Sequence, residues 1–356
     1  MKIHKVYISY YYVINMKSSD YVFNPMRICG RVLKEPKLVR KKLRKGAIIL
    51  ACPDKVIEEI PELKDYFYII ERRGWNGMTD ANSADIKLVE DPTKWEETRE
   101  QLPGAILLDV AGGDFVNTDT FYPLSSKKRY TGIQIARWCQ LKRHELFVRA
   151  VALTPYQFIK SGNFYRGGTV EEIKLREDIM KLSESLNAGI EFPYSNLVDN
   201  EGFADAGKIN LLINRSKIGI LTSLNEGNNR FKTECMSADI PVLIPEDIAG
   251  GAAKKHLNSL TGALFEPSPE GLAKAIETTL RNYTAFHPRS YILENTGIKR
   301  STRKLVDALN TLARMDGLTE YFEGIYWDGR EQTLVPFDQI YEHILESIDG
   351  VRGDRL

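Results

Sequence analysis

Residues 217–244 read KIGILTSLNEGNNRFKTECMSADIPVLI, and the order of features along them sets the architecture. An apolar strand around Ile218, Ile220 and Leu221 meets a Glu226-Gly227 turn. A helix starts at Asn228-Asn229 and carries the small residues Cys235, Ser237 and Ala238, and Pro241-Val242-Leu243 open a second strand. Strand, helix, strand is the repeating unit of a parallel α/β sheet. A helix that follows a strand so closely presents free backbone N–H groups at its start, and Gly227, Asn228 and Asn229 let an anionic phosphate approach them. Glu226 and Glu234 stand eight positions apart. Roughly six residues of helical rise cover about 9 Å, which sets two carboxylates against hydroxyls at opposite ends of a nucleotide-diphosphate-sugar. The competing reading is a plain helix in a Glu-rich chain.

The alternation extends in both directions. Towards the N-terminus, strands are expected at 3–14, 46–52, 66–71 and 105–111, with helices at 36–45, 54–60 and 92–101 and a Gly/Asn/Asp-rich loop at 73–85. Beyond a hinge at Gly112-Gly113-Asp114 the pattern predicts strands at 130–136, 155–160, 188–192, 217–222, 241–245 and 262–266. Helices fall between and after them at 142–151, 169–186, 206–215, 228–238 and 269–281. The expected organisation is an N-terminal acceptor-side domain over 1–113, a nucleotide-sugar domain over 114–285, and a mostly helical tail over 286–356. At 356 residues the chain has room for two domains, and its 43% hydrophobic content supports real cores.

The segment 217–244 resembles the Glu-x7-Glu region of the retaining glycosyltransferases of GT-B fold, the family 4-like "glycosyl transferases group 1". IQIARWCQLKRHELFVRAVAL (133–153) is similar to that family's strand-Arg-x4-Lys segment, with Arg137 and Lys142 on the two cationic positions. The family has Gly after the Lys where this chain has Arg143. NTDTFYP (117–123) resembles its Asp-x-x-Phe-x-Pro element, EFPYSN (191–196) its base-contacting loop, and residues 246–276 its closing Gly-Gly, Thr-Gly and Pro-Glu-x-Leu-Ala pattern. The resemblance spans about residues 115–285.

The resemblance implies two Rossmann-like domains facing each other across a cleft, here with a small N-terminal domain and a tail that crosses back to it. It implies a metal-independent hexosyltransferase that retains anomeric configuration and uses a UDP- or GDP-sugar. In that reading Arg137 and Lys142 hold the diphosphate and stabilise its departure, as fixed cations must where charge builds up on a leaving group. Glu226 binds the donor sugar and Glu234 the ribose, Gly227, Asn228 and Asn229 face the donor, and Tyr194 flanks the base. The N-terminal part departs from the family: it lacks a Gly-rich loop after the first strand, and its only histidine is His4. His144 reads as structural, and His256, His287 and His343 as surface residues. The alternatives are a sugar-nucleotide 2-epimerase and a non-catalytic nucleotide-sugar-binding protein of the same fold. A dehydrogenase lacks its G-x-G-x-x-G after the first strand.

Net charge is +1, but residues 1–50 hold twelve Lys or Arg against Asp20 and Glu35. Lys34, Lys37, Arg40, Lys41, Lys42, Arg44 and Lys45, with leucines interleaved, read as an amphipathic helix. It grips a DNA acceptor with hydroxylated bases, or an anionic membrane face carrying a lipid-linked acceptor, or it is simply solvated. Cys29, Cys52, Cys139 and Cys235 show neither C-x-x-C pairing nor a histidine cluster, which fits reduced thiols in the cytoplasm. No stretch approaches the roughly twenty apolar residues of a membrane span, so any contact with the inner membrane face is peripheral.

Overall fold

The computed structural model describes residues 29–51, 53–72, 83–110, 112–164, 168–193, 205–319, 322–325 and 335–353. The expected strand at 3–14, most of the loop at 73–85, and Tyr194 lie outside them. The chain divides into two compact units, one of residues 1–72, 79–87 and 331–356, the other of 73–78 and 88–330. The division falls at Lys87/Leu88, ahead of Gly112.

In the first unit, with elements numbered along the whole chain, come β1 (Cys29–Lys34), β2 (Lys37–Val39), β3 (Lys42–Arg44), β4 (Gly46–Leu50), α1 (Pro53–Glu59), α2 (Leu63–Tyr66), β5 (Phe67–Arg72) and β6 (Ile86–Leu88). Residues from the far end of the chain, β14 (Val335–Pro336) and α11 (Phe337–Gly353), join them. The strands of this unit lie in the order β14-β1-β4-β5-β6, and their pairing is mixed. β1 is antiparallel to both β14 and β4, while β4 and β5 are parallel. GAIIL of β4 is buried throughout, as a strand covered on both faces must be. Ile340, Ile344, Ile348 and Val351, at helical spacing on α11, close the core over Ile48, Leu50, Phe67 and Ile69. Within the sheet Lys87 Nζ lies 3.0 Å from Glu71 Oε2, both side chains almost fully buried.

The basic run is not a helix. Lys37–Val39 and Lys42–Arg44 form a two-stranded antiparallel hairpin in which Lys37 faces Arg44, Leu38 faces Leu43 and Val39 faces Lys42. Arg40 and Lys41 at its tip both have positive φ, 51° and 62°, the backbone of a two-residue type I′ turn. Leu38 and Leu43 share one face and pack towards the unit's core. The opposite face carries Lys37, Lys42 and Arg44. The leucine spacing that suggested an amphipathic helix is satisfied instead by one inward residue per strand.

The second unit contains α3 (Trp95–Gln101), β7 (Ile106–Leu108), β8 (Tyr130–Ile135), α4 (His144–Ala152), β9 (Phe158–Ser161), α5 (Val170–Ser185), β10 (Ile190–Glu191), α6 (Ala206–Asn214) and β11 (Ser216–Ile220). They are followed by α7 (Arg230–Ser237), β12 (Val242–Pro245), β13 (Gly262–Phe265), α8 (Pro269–Arg281), α9 (Pro288–Asn295) and α10 (Ile298–Met315). Its sheet runs β10-β9-β8-β11-β12-β13, every described pairing parallel. In chain order that is 3-2-1-4-5-6, the doubly wound arrangement. Apolar side chains alternate between its faces. Ile133, Ile159, Val242 and Ile244 pack with α6, α7 and α9, whereas Phe158, Ile218, Ile220 and Leu243 pack with α4, α5 and α8. No helix among the described residues is long and apolar enough to cross a membrane.

The segment at Gly112-Gly113-Asp114 is part of this second unit's packing. Asp114 is buried; Oδ1 accepts from Thr296 Oγ1 at 2.8 Å and meets His256 Nε2 at 2.6 Å, and Oδ2 accepts from Lys255 Nζ at 2.9 Å. Burial alone would raise the Asp114 carboxyl, but the His256 hydrogen bond and the Lys255 charge hold it well below its usual range. His256 is therefore a partnered residue rather than a free surface one. His343 meets Glu35 but stays exposed at the surface, as expected.

Candidate active site at the sheet switch point

In a 3-2-1-4-5-6 sheet the chain leaves the first and fourth strands in opposite directions, and a crevice opens at their carboxyl ends. Here those strands are β8 and β11. The residues that follow β8 include Arg137 and Lys142, and those that follow β11 include Glu226. The topology alone delivers the predicted cations and the first predicted carboxylate to one place.

The two loops are sewn together. Leu224 N donates to Leu141 O at 2.9 Å, and Thr222 Oγ1 donates to Lys142 O at 2.6 Å. Lys142 forms an ion pair with Glu226, whose Oε1 also accepts from Ser223 Oγ at 2.7 Å. Both charged side chains are largely shielded, 15% and 12% exposed. Arg137 makes its own pair with Glu172, Nε to Oε1 at 2.6 Å, and its side chain remains 40% exposed. Glu172 is held in turn by the capping box at the start of α5, accepting from Thr169 N while Thr169 Oγ1 accepts from Glu172 N. Burial pushes the Cys139 thiol up; Lys142 and Arg137 oppose that and Glu172 and Glu226 add to it, so all four charges gather around one side chain.

Arg143 explains how this chain dispenses with the glycine found after the lysine in the resembled motif. Its φ is 43° and ψ 50°, a left-handed backbone that glycine takes freely and other L-residues take at about 1–2 kcal/mol. The arginine side chain compensates: Nε donates to Thr222 O at 2.5 Å and one Nη to Ser223 O at 3.0 Å. The guanidinium also grips Asp247 in a two-pronged pair at 2.7 and 2.8 Å. One residue thus ties the loop after β8 to those after β11 and β12.

The Gly-Asn-Asn bend is more occupied than its sequence suggests. Asn229 is the N-cap of α7, its side chain accepting from Lys232 N. Gly227 is buried. The N–H of Asn228 is not open: it donates to Glu90 Oε1 at 2.9 Å, while Asn228 O accepts from Gly113 N at 2.9 Å. Glu226 N donates to Ala249 O, and Ala249 N to Leu224 O. The chain then turns at Gly250, φ 95°, where a Cβ would stand 2.0 Å from Glu226 O, so only glycine fits. Glu234 lies on α7 one turn beyond Arg230, 3.8 Å from its Nε. Lys232, fully buried, donates to the carbonyls of Ala252, Ala253 and Lys255 at 3.3, 3.0 and 2.7 Å. Burial pushes its ammonium down to about 7 against the attraction of Asp114.

Beneath the loops is a polar cluster that the sequence did not announce. Lys160, on β9, is completely buried; its Nζ donates to Gln134 Oε1 at 2.5 Å and lies 2.7 Å from His144 Nδ1. His144 Nε2 is 2.9 Å from Arg137 O. Burial, then the nearby Lys160, hold the proton affinity of His144 well below its ordinary value, and burial lowers that of Lys160. A separate cavity of about 210 Å3, lined by residues such as Asp109, Lys255, Tyr291 and Arg300, contains none of the site residues expected from the sequence.

The partners Glu172, Glu90, Asp247 and Lys160 were not identified from sequence. Only Glu172 carried a local signal, the Thr-x-x-Glu spacing of a capping box.

No protein-family model matches the chain, and no curated protein matches it. Solved structures do. Sucrose-phosphate synthase from Thermosynechococcus elongatus shares 15% identity at a TM-score of 0.58, covering 73% of this chain and 71% of that one. Anabaena HepE, in complex with UDP and glucose, shares 14% at 0.56, covering 72% and 75%. The pneumococcal O-GlcNAc transferase GtfA, in complex with UDP and GlcNAc, shares 15% at 0.53, covering 73% and 55%. At these identities the likeness is one of fold. The chain has the α/β fold of the GT-B glycosyltransferases.

Proposed function

We propose that the chain transfers a hexose from a nucleotide-diphosphate-sugar to an acceptor hydroxyl, with retention and without a metal ion. The observation that carries this reading is the gathering of Arg137, Lys142 and Glu226 at the switch point of the second sheet. Without donor, Lys142 and Glu226 satisfy each other. A diphosphate entering beside Arg137 draws Lys142 to its oxygens, and Glu226 is released to a hydroxyl of the donor sugar. The two cations then meet the charge that grows on the leaving nucleotide, the task a metal ion performs in other transferases. Glu234 takes the ribose hydroxyls. Because HepE and GtfA were solved with UDP, a UDP-sugar is the favoured donor over a GDP-sugar. The exposed hairpin cations Lys37, Arg40, Lys41 and Lys42 would suit an anionic acceptor.

Thermal unfolding with UDP-, GDP- and ADP-sugars tests this. Stabilisation by one series, lost in Lys142→Met, is the expected result, and no stabilisation by any of them overturns it. Turnover of the bound donor without an acceptor would replace transfer by 2-epimerisation, and binding without turnover would leave a nucleotide-sugar-binding protein.

A further inference from the structure

We propose that Lys160 is a positioning residue for the donor diphosphate: its buried amine ties the main-chain carbonyls of Arg137 and Lys142 into one hydrogen-bonded network. The inference rests on the assignment of those two cations to the diphosphate in the proposed function.

The network is continuous. From Lys160 Nζ one limb passes through His144. Arg137 O can only accept, so His144 Nε2 carries the proton and Nδ1 is the acceptor facing Lys160. The other limb passes through Gln134. Its Oε1 accepts from Lys160 Nζ, which fixes the amide orientation; its Nε2 donates to Thr222 Oγ1 at 2.7 Å, and that hydroxyl donates to Lys142 O. Each hydrogen bond in both limbs then has a defined donor and acceptor. The two limbs end on the two residues whose side chains are assigned to the donor.

Packing does not call for a lysine here. Lys160 shares its strand face with Phe158, and its Nζ sits 4.5 Å from the centre of the Trp138 ring and 5.8 Å from that of Phe147. Among the described residues Lys160 has no ion-pair partner: its hydrogen bonds are to an amide oxygen and an imidazole nitrogen. An aliphatic side chain would pack between the Trp138 and Phe147 rings without the cost of desolvating an amine. What the amine adds is a pair of directed bonds that lock the loop after β8 at both of its cationic positions.

The test uses the full chain and UDP as probe, by calorimetry, alongside the unfolding midpoint of each variant. Lys160→Met and Thr222→Val are each expected to weaken UDP roughly tenfold or more. Thr222→Ser, which keeps the hydroxyl, is expected to restore the affinity, a recovery that loss of packing alone would not produce. If Lys160→Met does not fold, the Thr222 pair decides. Nitrogen NMR of His144 reads the network without nucleotide, with the proton on Nε2 expected. Wild-type affinity in Lys160→Met and Thr222→Val, equal loss in Thr222→Ser and Thr222→Val, or a proton on Nδ1 overturns the inference. Failure of the unaltered chain to bind any nucleotide overturns the proposed function, and with it this role, even where His144 reads as expected.

Discussion

Replacing Arg143 separates two opposing effects at a single backbone position. In Arg143→Ala the clamp is gone and the left-handed backbone stays strained, whereas in Arg143→Gly the clamp is gone and the strain is relieved. Each hydrogen bond from the guanidinium to the Thr222 and Ser223 carbonyls is worth about 1.5 kcal/mol as a charge-assisted bond. The pair with Asp247, whose carboxylate is 43% exposed, adds less than about 1 kcal/mol. Loss of all of these costs the alanine variant about 3–4 kcal/mol. Glycine recovers the strain of about 1–2 kcal/mol and gives back roughly 0.5–1 kcal/mol through its freer unfolded chain. The glycine variant therefore lies above alanine by about 0.5–1 kcal/mol and still well below the native protein. For a unit of this size 1 kcal/mol moves a thermal midpoint by roughly 2–4 °C, so calorimetry resolves the three proteins. Alanine equal to or more stable than glycine would refute the strain argument. Either variant within about 0.5 kcal/mol of native would refute the clamp.

Other substitutions probe other parts of the molecule. Lys87→Met removes the ammonium that faces the buried Glu71 carboxylate and should cost about 3–5 kcal/mol in urea unfolding, while the double change Glu71→Leu with Lys87→Met returns close to native stability. Gly250→Ala forces a Cβ against Glu226 O and should cost at least about 1–3 kcal/mol while weakening UDP binding in calorimetry; normal affinity would detach Gly250 from the site. Lys232, with its folded value near 7 against an unfolded value of about 10.4, binds fewer protons folded than unfolded across that window, so its contribution makes stability rise with pH. Comparing unfolding midpoints at pH 7 and 8.5 should show a gain that shrinks in Lys232→Met, and an identical gain in both proteins would exclude it. Glu234→Ala should weaken nucleotide binding by about 1–3 kcal/mol; unchanged affinity counts against its ribose role.

The strands of the second unit were legible because they are short continuous apolar runs between turn residues. A parallel sheet buried on both faces leaves that signature in VLIP of β12 as plainly as in GAIIL of β4. The hairpin was not legible. Only Leu38 and Leu43 turn inward, and the tip uses Arg40-Lys41 in a conformation that usually advertises itself with Asn-Gly. In the candidate site, the charges Arg137, Lys142 and Glu226 were singled out through resemblance and order. The groups that hold them were hidden, because pairing Arg143 with Asp247 or His256 with Asp114 joins residues more than a hundred positions apart. Lys160 falls at the end of the expected strand 155–160, and nothing local distinguishes a buried lysine from an exposed one.

The far end of the chain supplies four apolar side chains of α11 to the first unit's core and β14 to its sheet edge. During synthesis, residues 88–330 leave the ribosome as one uninterrupted stretch with everything their own sheet needs. The earlier residues 29–72 must wait for 335–353, with Ile48, Leu50 and Ile69 uncovered on that side in the meantime. The usual vectorial order is inverted: the unit made first is finished last. A premature stop between the two would yield a chain whose larger unit is complete while its smaller one displays a sticky, half-built core, the kind of product that chaperones retain and proteases remove.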